Sequence, residues 1–252
     1  MQLNRFLVVF VVIAASLAAC GDDKSSVGTT SESAATTTQT AVTTTQLAVS
    51  TTTGPVAPTT SEPMQLEQPA IWPAADVVFD TPEAAAADFL AKVFGDGPVL
   101  GEFASGDQRS GEIEVFASVD GAAISTPRSV LALRMLGPSD GWFVIAAMSD
   151  LATITVPDSM SVIAAGPVTV EGVARGFEAT VVVSAFLAGR PDTEFGEQVT
   201  MAGNFGVALP YSVSFDLSGA SPGDVVVLLV RGGAGLETDP GDFGAIAVVI
   251  GN

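Results

Sequence analysis

Cys20 is the only cysteine in 252 residues, so no disulfide can staple this chain and no set of thiolates can hold a zinc ion. Whatever folds must do so on its hydrophobic core. Val, Ala, Leu, Ile and Phe are plentiful enough to build one. Histidine is absent altogether. That excludes Ser-His-Asp and Cys-His catalysis and any His-containing zinc site. General acid–base work would fall to carboxylates, lysine or the single tyrosine, Tyr211. The expectation is a chain with no enzymatic activity, no cofactor and no metal.

The position of Cys20 adds a second constraint. Arg5 precedes the apolar run from Phe6 to Ala15, and Leu17-Ala18-Ala19-Cys20 closes it. This is the pattern of a bacterial lipoprotein signal peptide with its lipobox. The run is too short to span a bilayer comfortably, which takes roughly 20 residues. Residues 1–19 therefore read as a signal peptide, and Cys20 as the residue that carries lipid after cleavage. Several acyl chains on one residue give stable anchoring. The expected location is extracytoplasmic, on the cell membrane, with the membrane itself as first partner.

Formal charge is −19. Removing Arg5 leaves 28 acidic against 8 basic residues, a net charge of −20. The basic residues are scattered singly. Such a surface repels nucleic acid and anionic headgroups, so no nucleic-acid partner is expected.

Residues 20–69 read as a linker. Thr36 to Thr38, Thr43 to Thr45 and Thr51 to Thr53 are threonine triplets, and Pro55, Pro58 and Pro63 follow. Low hydrophobicity and Thr/Ser/Pro richness cannot support a packed core. A flexible coil of about 45 residues spans roughly 35–40 Å on average. The tract suits a tether through the wall layer and offers sites for O-glycosylation.

Residues 70–151 read as a small α+β domain, a helix on an antiparallel meander. Thr81-Pro82-Glu83 is a helix start. Ala86, Phe89, Leu90 and Val93 recur at helical spacing up to Gly95. Strands follow from Glu112 to Val119, Ser129 to Leu136 and Trp142 to Met148. This order is similar in outline to cystatin-like or nuclear-transport-factor-like domains. Trp72 is placed to staple the linker to the domain. Trp142 and Phe143 are neighbours on a strand, so one should face the core and the other outward, with Trp142 inside.

Residues 152–252 read as all-β. Seven strands are expected: 152–156, 168–175, 180–188, 197–202, 211–217, 224–231 and 243–250. Tyr211, Val213, Phe215 and Leu217 alternate with Ser212, Ser214 and Asp216. Val225 to Val230 is apolar throughout, the mark of a strand covered on both faces.

Ile154-Thr155-Val156-Pro157, Gly166 to Gly172 and Ala174 to Val181 together resemble the immunoglobulin-like domain found beside GerMN domains in bacterial spore-germination and envelope proteins. Tyr211 to Phe215 resembles its later strand. The likeness covers about two fifths of the chain. It implies an immunoglobulin-like β-sandwich outside the cytoplasm that binds or spaces, and it carries no catalytic residues. The 70–151 segment is too short and too helix-poor to be a GerMN domain.

Other motifs read blandly. Gly137-Pro138-Ser139-Asp140-Gly141 matches the nucleophile-elbow string, but it lies between two strands and no histidine exists to serve it. Glu112 and Glu114 share one strand face and read as its solvated side, not as opposed glycosidase carboxylates. Asp107 and Arg109 form a turn with a local ion pair, or line a pocket with Arg134. Asp239-Pro240-Gly241-Asp242 with Glu237 is a polar loop, or a set of oxygen ligands for Ca²⁺. The glycine-rich stretches at 203–206 and 232–235 precede no helix and read as turns. Arg175 and Phe177 are the expected partner surface.

The sequence thus predicts a mainly β lipoprotein with a non-catalytic binding or scaffolding role in the envelope, facing an envelope protein or cell-wall polymer. The alternatives are a small-ligand-binding or enzymatic domain at 70–151, with Asp107, Arg109 and Arg134 around an apolar pocket, and a passive spacer.

Overall fold

The computed structural model describes residues 66–119, 122–236 and 238–252. The expected signal peptide, Cys20, nearly all of the linker and Glu237 lie outside them. The described chain is mainly β, with antiparallel sheets and one α-helix. No described helix is long and apolar enough to cross a membrane.

Helix α1 (Pro82–Val93) begins where its sequence dictates. Thr81 is the N-cap, and its hydroxyl accepts the Ala84 N–H at 3.2 Å. Pro82 and Glu83 occupy the first turn and Lys92 the last, which complements the helix dipole. Phe94 closes the helix, and Gly95 takes a positive φ beyond it. The strands are β1 (Val99–Ser105), β2 (Ser110–Val119), β3 (Ala122–Leu136), β4 (Gly141–Met148), β5 (Ala152–Val156), β6 (Val162–Ile163) and β7 (Pro167–Gly176). Then come β8 (Thr180–Leu187), β9 (Arg190–Met201), β10 (Gly203–Asn204), β11 (Leu209–Asp216), β12 (Val225–Gly232) and β13 (Phe243–Ile250).

The large sheet runs β1-β2-β3-β4-β13-β12-β8-β9, with β6 pairing β13 in parallel. A smaller sheet centres on β7, which pairs antiparallel with β5 and β11 and in parallel with β10. β12 is apolar from Val225 to Val230 because each of its faces meets a core. Val226, Leu228 and Val230 face the smaller sheet, where Val170, Ala174, Tyr211 and Phe215 cover them. Val227 and Leu229 face the other way, into a core with Phe89 and Leu90 of α1, Ile113 of β2, Leu131 of β3 and Val144 of β4. Aromatic rings knit this second core: Trp72 to Phe89 at 6.0 Å, Phe89 to Phe94 at 6.1 Å and Phe94 to Phe243 at 4.5 Å between centroids.

The boundary expected at 151/152 is corrected by this core. The described residues fall in one compact unit. Phe186, Val227, Leu229 and Phe243 pack with side chains of the helix and meander, and β4 joins β13 at Ala147 opposite Ala245. Strand patterning alone cannot separate a strand that closes one domain from a strand that two halves share.

Packing against the core also begins before residue 70. Leu66 packs with Ala70, Leu136 and Phe143, and the Gly137 N–H donates to Glu67 Oε2 at 2.8 Å. Trp72 is core rather than a staple on its rim: it bridges to Val144, and its indole N–H donates to Asp88 at 2.9 Å. Residues 66–76 form a strap across the sheet. Gly189 admits it with φ +70, since an added Cβ would stand 1.9 Å from the Ala74 nitrogen. The strap explains why Trp142 and Phe143 are both buried. They do point to opposite faces, but each face is covered.

β1, β6 and β10 were not expected, and β9 starts at Arg190 rather than Glu197. β1 carries Gly101 and Glu102 at its centre, which breaks the alternation. β6 and β10 are two residues each, too short to pattern.

Because one core serves both halves, Leu90→Ala in α1 and Leu229→Ala in β12 should each cost about 2–5 kcal/mol. Both should lower the midpoint of the same single urea transition, followed by tryptophan fluorescence and far-UV circular dichroism. Two separated transitions would mean two independent cores.

Candidate functional site

An exposed apolar surface lies at one end of the two-sheet stack, where three connections meet. Phe177 lies in the tight turn 177–179 between β7 and β8, fixed by its N–H donating to the Gly233 carbonyl at 2.6 Å. Glu178 and Ala179 follow with φ of 53° and 60°, a left-handed pair of non-glycine residues that stores strain. The Phe177 ring meets Phe205, from the β10–β11 turn, at 5.8 Å between centroids. It also lies over Gly235 of the β12–β13 connection, where an added Cβ would stand 3.3 Å from the ring. Phe177 is 44% exposed and Phe205 48%, and Val207, Leu209 and Leu236 are exposed as well. Val199 and Met201 of β9, at 67% and 71%, lead up to the same turns.

An ion network fixes those turns. Asp242 is 6% exposed. It accepts from Arg175 Nε at 2.9 Å and lies 3.8 Å from Arg128 Nη1. Arg128 Nη2 reaches Asp239 Oδ2 at 2.5 Å, and Arg175 Nη1 donates to the Phe205 carbonyl at 2.6 Å. β3, β7, the Phe205 turn and the 239–242 loop are thereby tied at one point. Such pairs hold position more than they add stability, but breaking one strands a buried charge. Arg175 therefore acts beneath the surface that Phe177 presents. The same network occupies Asp239 and Asp242, two of the carboxylates expected as Ca²⁺ ligands, and no metal-binding cluster occurs among the described residues.

Asp107, Arg109 and Arg134 sit on the β1–β2 turn and the exposed side of β3. Asp107 Oδ1 accepts the Arg109 N–H at 2.7 Å, and Arg109 pairs with Asp140 at 2.6 Å. The Arg109 amide, with the Ser110 hydroxyl, holds the Asp107 carboxyl below its usual range. The turn is held by that backbone bond, and the ion pair reaches Asp140 of the β3–β4 hairpin rather than lying within the turn. The meander interior is filled, with Trp142 in the same core as Phe89 and Leu90 and packed edge-on to Phe103 at 5.4 Å. Two open grooves exist elsewhere. One of about 620 Å³ runs between the strap and the start of β12, with Pro73, Leu187, Arg190 and Asp224 in its walls. The other, of about 360 Å³, lies along Arg128 and Met148. None of the three residues expected around a pocket lines either groove.

Tyr211 is not a free acid or base. Its hydroxyl donates to the Thr153 carbonyl at 3.0 Å, and burial pushes its phenol well above the ordinary value. No family model, no curated protein and no solved structure matches this chain.

Phe177 stood out in the sequence through its place in the segment Ala174 to Val181 that carries the family resemblance. Phe205, Val207, Leu209 and Leu236 did not, because a loop phenylalanine or leucine carries no mark of whether tertiary packing covers it. Val199 and Met201 gave a faint signal, an apolar pair at i and i+2 on a strand otherwise polar on that face.

Three outcomes follow. Asp242→Ala should cost about 3–5 kcal/mol in urea unfolding, because it leaves the part-buried Arg175 guanidinium without a carboxylate, while Arg128 keeps Asp239. Ala179→Gly should stabilise by about 1 kcal/mol by relieving a left-handed alanine. The Gly137 amide, helped by Arg109 and Arg134, holds the Glu67 carboxyl below its usual 4.5. A depressed acid contributes fully above its unfolded value and loses that contribution as pH falls through the folded one. Exchange protection of the Gly137 amide should therefore drop on acidification below about pH 4.5, and Glu67→Gln should remove that dependence.

Proposed function

We propose that this protein is a lipid-anchored, extracytoplasmic binding module of a bacterial envelope. Lipid on Cys20 holds it to the membrane, the Thr/Ser/Pro-rich tract spaces it, and the β unit engages an envelope protein or wall polymer. The observation that carries the binding role is the exposed Phe177–Phe205 cluster. Large apolar side chains held at an open end on turns tied by buried ion pairs are a pre-organised contact surface, since contiguous exposed apolar patches mark interaction sites. The two facing sheets support the immunoglobulin-like reading of 152–252, with β1–β4 and α1 as an extension of the same core rather than a separate domain. The lipobox pattern supports the anchor, and the acidic surface supports the absence of nucleic-acid binding.

A second reading, a small-ligand carrier, is favoured by the groove of about 620 Å³ beside the strap, a volume within the range of ligand sites. It differs from the pocket expected around Asp107, Arg109 and Arg134.

Cells fed labelled palmitate should label the wild type and not Cys20→Ala. In the same cells, membrane proteins and wall polymer presented separately should show saturable capture of the full chain by one of the two. Phe177→Glu with Phe205→Glu should weaken that capture at least about tenfold, as loss of buried aromatic anchors does. Equal capture of wild type and double variant, at equal stability, contradicts the assignment to this end.

A further inference from the structure

β9 ends the large sheet, and among the described residues no strand pairs with its outer edge. Its register on β8 sets Val199 opposite Val182 and Met201 opposite Thr180. The Ala202 N–H donates to the Ala179 carbonyl at 3.0 Å, so residue 202 points its backbone at β8. In an antiparallel ladder these directions alternate residue by residue. Gln198 and Thr200 therefore bond toward β8, while Glu197, Val199 and Met201 present their N–H and C=O groups to the open edge. An open edge is a template for another strand.

The side chains along that edge are graded. Glu194, beside Phe186, and Glu197, beside Ser184, share a face with Val199 and Met201. All four are exposed. One half of the strand is thus acidic and the other apolar. Arg231 approaches Glu197 at 3.7 Å, a half-exposed pair that contributes little.

We propose that the β9 edge docks an extended segment of a partner protein by strand addition. The segment sets basic side chains against Glu194 and Glu197 and apolar side chains against Val199 and Met201. Charge complementarity selects this occupant. A second copy would bring together two chains each of net charge −19, and an anionic lipid surface meets the same repulsion. The edge leads into the Phe177–Phe205 cluster, so a segment leaving β9 passes over those rings.

This inference rests on the binding-module reading. The test uses the full chain in detergent and a synthetic peptide in which two valines and then two lysines alternate with threonines. The peptide should bind, and weaken as salt is raised. Replacing its lysines by glutamates should cost at least about tenfold, because like charges then face each other. Methylating its edge-facing amides should abolish binding, which a merely adhesive surface would tolerate. Val199→Lys with Met201→Lys, both at exposed positions, should lose the peptide with the circular dichroism spectrum unchanged. Equal binding of lysine and glutamate peptides, indifference to methylation or to the double substitution, or no binding overturns the proposal. An envelope component captured equally by the wild type and the doubly substituted chain overturns this edge and leaves the module standing. No envelope capture by either chain overturns the module as well.

Discussion

The burial of β12 on both faces is the contact on which the rest of this molecule depends. Val226, Leu228 and Val230 are sealed by the smaller sheet, and Val227 and Leu229 by the helix and meander. Burying an aliphatic side chain of this size contributes about 1.5–3 kcal/mol. Consecutive residues of one strand therefore stabilise two cores at once. With no disulfide to restrict the unfolded chain, this shared wall makes the two halves one cooperative unit.

The apolar end is the counterpart of that wall. Arg128, Arg175, Asp239 and Asp242 join elements far apart in sequence, and the turn bearing Phe205 hangs from the Arg175 guanidinium. Ion pairs of this burial offset their own desolvation at best. Their effect is to fix geometry: Phe177, Phe205 and Gly235 stay in contact while their outer surfaces stay wet. The left-handed turn at Glu178 and Ala179 is strained in the same place. A surface held this rigidly loses little entropy on meeting a partner.

The sequence made local structure legible and left global pairing hidden. Thr81-Pro82-Glu83 and Gly95 bound the helix as capping chemistry requires. Ala152–Val156 and Phe243–Ile250 fall at the expected residues, and the alternation of Tyr211, Phe215 and Leu217 against Ser212, Ser214 and Asp216 is seen in their burial. Val225 to Val230 announced two covered faces, but not which elements cover them. The division at 151/152 failed for that reason: Phe186 and Phe243 look like sandwich residues and pack under the helix. The strap was hidden because Leu66, Ala70 and Trp72 follow a tract with no periodicity. Asp107, Arg109 and Arg134 could be read as a turn or a pocket, and only tertiary packing, with Trp142 filling the meander, chooses the turn.

The most direct measurement is site-specific photo-crosslinking on living cells, with a photoreactive phenylalanine analogue placed in turn at Phe177, at Val199 and at Lys92 on the exposed side of α1. The account predicts that Phe177 and Val199 yield the same dominant adduct and that Lys92 yields none. An adduct from Lys92 alone, or no adduct from Phe177 and Val199 in folded, anchored protein, would contradict it.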